Sequence, residues 1–184
     1  MPERKHVGDV MTATVVTVGP ESRLDEAARL LRAHHISGMP VVDRARSVVG
    51  LLSEQDIVRA LHRATGVHSA RGLLDLLLES APPKGDTMLE VCRRHLRNSR
   101  VREAMTSPVV SVARETPLEE AAHTMTSHRV KRLPVLDAHG ALVGIVSRAD
   151  LAHAVSGAPR ARRGSLRPGP APLPAGGSGP FEDV

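Results

Sequence analysis

The chain has 184 residues, a formal net charge of +5 and a single cysteine, Cys92, so no intrachain disulfide can form. No apolar run approaches the ~20 residues that a helix needs to cross a bilayer. The one aromatic residue is Phe181, so the core must be aliphatic, and any pocket for a purine must be walled by aliphatic side chains and backbone groups.

Met1–His6 carries no apolar signal-peptide core, and with the lone cysteine this sets the expectation of a cytoplasmic protein. The basic balance is a weak argument for nucleic acid, because a solvated basic surface accounts for it equally well. Val15-Val16-Thr17-Val18 is short and β-branched and predicts a strand. Ser22 is a predicted N-cap with Asp25 completing a capping box, and Leu24, Ala27, Ala28 and Leu31 then fall on one helical face. Two strands, Pro40-Val41-Val42 and Val48–Leu52, are joined by the turn residues Asp43–Ser47. A helix opens at Ser53.

Residues 62–100 are longer than a bare connection. Leu73–Leu78 predicts a short apolar helix, Ala81-Pro82-Pro83-Lys84-Gly85 breaks it, and Asp86 caps a second helix to about Leu96. Two helices with a break suggest helix-turn-helix, but that break suits the motif poorly and a packing or dimerisation hairpin fits better. The second half then runs through Val109-Val110 to Thr116, a predicted cap with Pro117 at the first helical position and Glu119 completing the box, followed by Leu118, Ala121, Ala122 and Met125 on one face. From Ser156 the chain is rich in Gly, Pro, Ala, Ser and Arg without periodicity and reads as a flexible tail. His34, His35 and His128 sit at helix ends, where the dipole favours them, and Cys92-x-x-His95 has no second ligand pair, so no metal site is expected.

The two halves superpose in sequence at a constant offset of 94 residues, without a gap, from Val7–Leu61 onto Val101–Val155. Met11-Thr12 matches Met105-Thr106, Met39-Pro40-Val41-Val42-Asp43 matches Leu133-Pro134-Val135-Leu136-Asp137, and Gly50-x-x-Ser53-x-x-Asp56 matches Gly144-x-x-Ser147-x-x-Asp150. Duplication in register points to one pseudo-symmetric body with a shared core. A serine at a helix start with an acid three residues on is a capping pattern. The same geometry can present free backbone N–H groups and a hydroxyl to a phosphate, and a carboxylate to the hydroxyls of a ribose.

The three motifs in this order, twice over, resemble a tandem pair of cystathionine-β-synthase (CBS) domains, the Bateman module. The resemblance implies an α+β fold of two β-α-β-β-α repeats, at 7–61 and 101–155, packed as one module, with a helical inter-repeat segment at 62–100 and a tail at 156–184. In such modules the matching serine and aspartate contact phosphate or ribose, here Ser53, Asp56, Ser147 and Asp150. Adenine lies against positions matching Val16, Ile36 and Met39 in repeat one and Val110, Val130 and Leu133 in repeat two. Cationic residues just before the proline often meet phosphates; repeat two has Lys131-Arg132 there, and repeat one has Ser37-Gly38.

The function so implied is that of a stand-alone regulatory protein, with no cofactor required. It would bind AMP, ADP, ATP or S-adenosylmethionine in clefts between the repeats and signal by conformation or assembly. A homodimer and an unidentified effector protein are the implied partners. The alternative is a ligand-free dimerising scaffold that contacts protein or nucleic acid. An enzymatic reading finds no support in the sequence: no nucleophile–base pair and no Walker loop stand out.

Overall fold

The computed structural model describes residues 5–66 and 88–156. A single turn, α1 (Val7–Val10), leads through an extended stretch to α2 (Leu24–Ala33), whose predicted apolar face is buried at all four positions. The hairpin β1 (Gly38–Val42) and β2 (Val48–Ser53) runs directly into α3 (Glu54–Thr65), and the inter-repeat segment contributes α4 (Met88–Asn98). The second half repeats the order as α5 (Val101–Ala104), β3 (Val112–Ala113), α6 (Leu118–Ser127), β4 (Arg132–Leu136), β5 (Leu142–Ser147) and α7 (Arg148–Ser156). The predicted helix at Leu73–Leu78, the break after it, Asp86 and the tail beyond Ser156 lie outside the described residues.

Both hairpins are antiparallel, with one irregularity each at twin places, Val41/Val42 and Val135/Leu136. Their turns need one residue with positive φ, supplied by Gly140 in the second and by Arg46 in the first. The opening strand of each repeat is shorter than its β-branched sequence predicts. At Val15–Val18 it shrinks to one parallel bridge, with Val18 N–H donating to Pro40 O at 3.2 Å and Val42 N–H to Val18 O at 2.9 Å. In the second half it survives as β3, parallel to β4.

Both helix starts fall one residue later than predicted. Ser22 does not cap α2, because its N–H donates to Gly19 O and its carbonyl accepts from Val101 N–H at 2.9 Å. Arg23 takes the N-cap position instead, and its N–H donates to the Glu26 carboxylate at 3.2 Å. Pro117 likewise takes the cap position of α6, while the Thr116 hydroxyl accepts from Ala113 N–H.

The first turn of each repeat is exchanged between the halves. Val7 belongs to the second core, with Val10 and Met11 packed on it, whereas Val101 and Ala104 belong to the first, with Met105 packed on it. Thr12 pairs with Ile145 on β5, and Thr106 pairs with Leu51 on β2. This exchange explains the motif glycines. A Cβ on Gly50 would overlap the sulfur of Met105, and one on Gly144 would overlap that of Met11. Each glycine clears a berth for the methionine that opens the opposite repeat.

The cores differ in completeness. Helix α4 lies against both α2 and α3 and buries Cys92 and Leu96 between them. Among the described residues no helix packs across α6 and α7 in that way. Ala28 is buried on α2, but its twin Ala122, predicted on the same inner face, is exposed on α6.

Candidate functional site at the paired strand-to-helix corners

Each Gly-x-x-Ser-x-x-Asp run turns a strand into a helix, and the serine and aspartate meet as the spacing requires. At the first corner Ser53 caps α3. The Asp56 Oδ2 accepts from Ser53 N–H at 2.9 Å and from the Ser53 hydroxyl at 2.6 Å. Its Oδ1 accepts from the Arg59 guanidinium at 3.1 Å and from the Thr106 hydroxyl at 3.3 Å. Asp56 is buried, 5% exposed.

At the second corner Asp150 Oδ2 accepts from Ser147 N–H at 2.8 Å and from the Ser147 hydroxyl at 2.7 Å. Asp150 is half-buried, so its carboxylate stands nearer to solvent than that of Asp56. The capping pattern is therefore formed at both corners, and it occupies the same oxygen each time. At the first corner the other oxygen, Oδ1, also holds Arg59 and Thr106.

The expected wall residues divide into two groups. Val16 and Ile36 pack at the edge of the first core, Val110 and Val130 at the edge of the second, and all four keep a partly exposed surface. Met39 and Leu133 are fully buried, on strands where they pair with Leu52 and Val146, the residues just before Ser53 and Ser147. Lys131 is exposed, and its carbonyl accepts from Arg148 N–H at the start of α7, just as the Ser37 carbonyl accepts from Glu54 N–H at the start of α3.

Arg132 is half-buried and crosses between the repeats. Its Nη2 donates to the Ser37 hydroxyl at 2.6 Å, and its guanidinium lies over Gly38, where any Cβ would overlap it. Two participants are not marked as site residues by the motifs. Thr106 is half of the duplicated Met-Thr pair, but its bond to Asp56 follows from the exchanged turns. Arg59 has the right i, i+3 spacing to Asp56. Among the described residues no group of three or more His, Cys, Asp or Glu is placed to hold a metal ion, and no helix is long and apolar enough to cross a membrane.

A duplicated α+β body with a Ser/Asp corner in each half is the architecture of a tandem-repeat module. The family model for the CBS domain matches residues 7–63 and again 101–157, and the chain belongs to the CBS domain family as a tandem pair. It is 34% identical over 154 residues to an uncharacterised protein of Methanocaldococcus jannaschii, covering 81% of this chain and 90% of that one. It is 27% identical to the inosine-5'-monophosphate dehydrogenase of the same organism, but spans only 23% of that enzyme's length. Among solved structures, CBSX2 of Arabidopsis thaliana in complex with AMP superposes with a TM-score of 0.60 at 28% identity, covering 83% of this chain and 97% of that one.

Proposed function

We propose that this CBS pair is a regulatory binding module for an adenine nucleotide or a related adenosyl ligand, and that it signals through conformation or assembly. The observation that carries the reading is the pair of Ser/Asp corners set beside partly exposed aliphatic walls, in a chain similar to a relative solved with AMP. The second corner is the main ligand site. Asp150 is half-buried and takes the ribose hydroxyls, Ser147 and the start of α7 take a phosphate, and Val110 and Val130 wall the base. The first corner offers the same Ser53/Asp56 pair beside Val16 and Ile36, with Thr106 and Arg59 also bonded to Asp56. The chain works as a sensor and not as an enzyme; the dehydrogenase relative shares only this module's length with it. A homodimer and an effector protein complete the proposal, since a ligand shifts an assembly only by its differential affinity for two arrangements.

The test is a titration of wild type and Asp150→Ala with AMP, ATP and S-adenosylmethionine by calorimetry. Loss of one charge-assisted hydrogen bond of roughly 1.5–3 kcal/mol should weaken binding about ten- to a hundredfold. Unchanged affinity in Asp150→Ala would remove the ribose assignment, and no binding of any adenosyl compound to wild type would remove the sensor reading.

A further inference from the structure

Twin positions of the two repeats map what the second one lacks. In repeat one, Asp25 and Ala28 of α2 and Ala60 and Leu61 of α3 are buried. Their counterparts at the offset of 94 are Glu119 and Ala122 of α6 and Ala154 and Val155 of α7. Glu119, Ala122 and Val155 are exposed, and Ala154 is half-buried. Helix α4 lies over α2 and α3, and among the described residues no helix lies over α6 and α7 in that way. The uncovered footprint is one carboxylate, two small side chains and a valine that is 86% exposed.

Helix α4 carries the complement on its outer side. Its inner side is taken up by Cys92 and Leu96 in the first core. Met88 and Val91 stand on the other side, 55% and 40% exposed, and Arg94 follows three residues on, also exposed. Among the described residues the exposed large apolar side chains are Met88, Val91 and Val155, so they are confined to these two surfaces. Charge divides in the same way. Helix α4 has Arg93, Arg94 and Arg97 against Glu90, a formal +2, whereas α6 has Glu119 and Glu120 with no Lys or Arg, a formal −2.

We infer that α4 serves two repeats: its inner side closes repeat one of its own chain, and its outer side closes repeat two of a second copy. The inference deepens the assembly part of the sensor reading and rests on it only there. In a twofold pair with the repeats reversed the contact is made twice. Met88 and Val91 of one copy lie on Ala122 and Val155 of the other, with the arginines of α4 beside the acids of α6. Like facing like would set α4 on α4 and α6 on α6, cation against cation and carboxylate against carboxylate, so charge selects the reversed orientation. The CBS domain model matches 7–63 and 101–157 and leaves α4 out, so this contact belongs to the inter-repeat segment and not to the shared repeat. The apolar footprint is small for a permanent dimer, so the pair is weak and forms only as the chain is concentrated. A weak pair is one that a ligand of modest differential affinity can shift.

The experiment is sedimentation of the full chain over a concentration series, for wild type, Val91→Asp, Val155→Lys, Glu119→Lys and an equal mixture of the first two variants. Val91→Asp and Val155→Lys each place an unmatched charge in both contacts of the pair and should weaken association about tenfold or more. In the mixture one contact is intact and the other sets opposite charges face to face, so it should associate more tightly than either variant alone. Glu119→Lys should weaken association about two- to fivefold, with the difference shrinking as salt is raised. In dilute solution the chain is a monomer with Val155 exposed, and there Val155→Lys should keep the urea midpoint of wild type. A lowered midpoint would mean that the chain covers this face itself, and would overturn the inference. A pair that forms as well in Val91→Asp or Val155→Lys as in wild type, or a mixture no tighter than its components, would overturn the inference and leave a homodimer through another surface. Wild type that stays monomeric throughout the series would overturn both this contact and the assembly part of the sensor reading.

Discussion

Leu61, in the second half of α3, is 0% exposed, whereas its counterpart Val155, in the last turn of α7, is 86% exposed. The two positions are twins in sequence and opposites in environment. Among the described residues the difference comes from α4, which covers the helical face of repeat one and brings Cys92 and Leu96 into a core of fifteen buried residues, against eight in the core of repeat two. Duplication therefore copies the elements of a repeat but not what covers them. The same lesson holds at the corners, where Asp56 is buried under Thr106 and Arg59 and Asp150 is half-buried. Among the described residues the first half is the more fully enclosed.

The largest effect expected from this contrast lies in the first core. Leu96→Ala and Leu61→Ala each remove a fully enclosed side chain and should cost about 2–5 kcal/mol, as large-to-small changes in packed cores do. Val155→Ala should stay within about 0.5 kcal/mol, the usual range for an exposed position. Urea unfolding of the three variants measures this directly. Comparable losses at Leu61 and Val155 would mean that the second helical face is covered in solution, and the contrast between the halves would fail.

A smaller effect is expected where the halves do match. Gly50→Ala and Gly144→Ala each drive a methyl group into a methionine of the other repeat, Met105 or Met11. Overpacking of this kind costs about 1–3 kcal/mol, reduced to the extent that the thioether can turn aside. The two losses should agree closely, because both berths are built alike. In a double-mutant cycle with Met105→Ala or Met11→Ala, each glycine should couple to the methionine of the opposite repeat and not to its own. Coupling within a repeat would contradict the exchanged turns.

Much of this architecture was legible in the sequence because the chain states it twice. The helical face of α2, both hairpins and both Ser/Asp corners follow from local spacing, and the offset of 94 residues checks each against its twin. The exchange of α1 and α5 was not legible, since a sequence repeat runs in register whether its first turn packs at home or abroad. Nor was the capping register: Ser22 is a good cap by type, but Val101 N–H claims its carbonyl and the helix starts after it. The positive φ at His35 and Arg129, twin residues just past α2 and α6, also went unannounced because neither is glycine. Arg132 was singled out for its charge, while the serine that holds it became visible only when the repeats were brought face to face.

The smallest expected effect sharpens the comparison at the hairpin turns. In the second turn Asp137 Oδ1 accepts from His139 N–H and Ala141 N–H, both at 2.9 Å. In the first turn Asp43 Oδ1 accepts from Ser47 N–H at 2.9 Å. The Ala141 amide is the main cause that lowers the Asp137 pKa below its ordinary value of 3.8, helped by the His139 amide and the His139 charge and opposed by partial desolvation. A carboxylate with a depressed folded pKa binds fewer protons folded than unfolded. Its contribution is thus present above pH 3.8 and is lost as the pH falls through the lowered folded value. Asp137→Asn keeps an acceptor but removes the charge. Wild type should exceed it in urea midpoint at neutral pH, and the gap should narrow on acidification below the ordinary carboxylate range. Asp43→Asn, with a single amide bond at stake, should show the lesser loss at neutral pH. A gap at Asp137 that persists unchanged into acid would mean that shape, and not charge, holds the second turn.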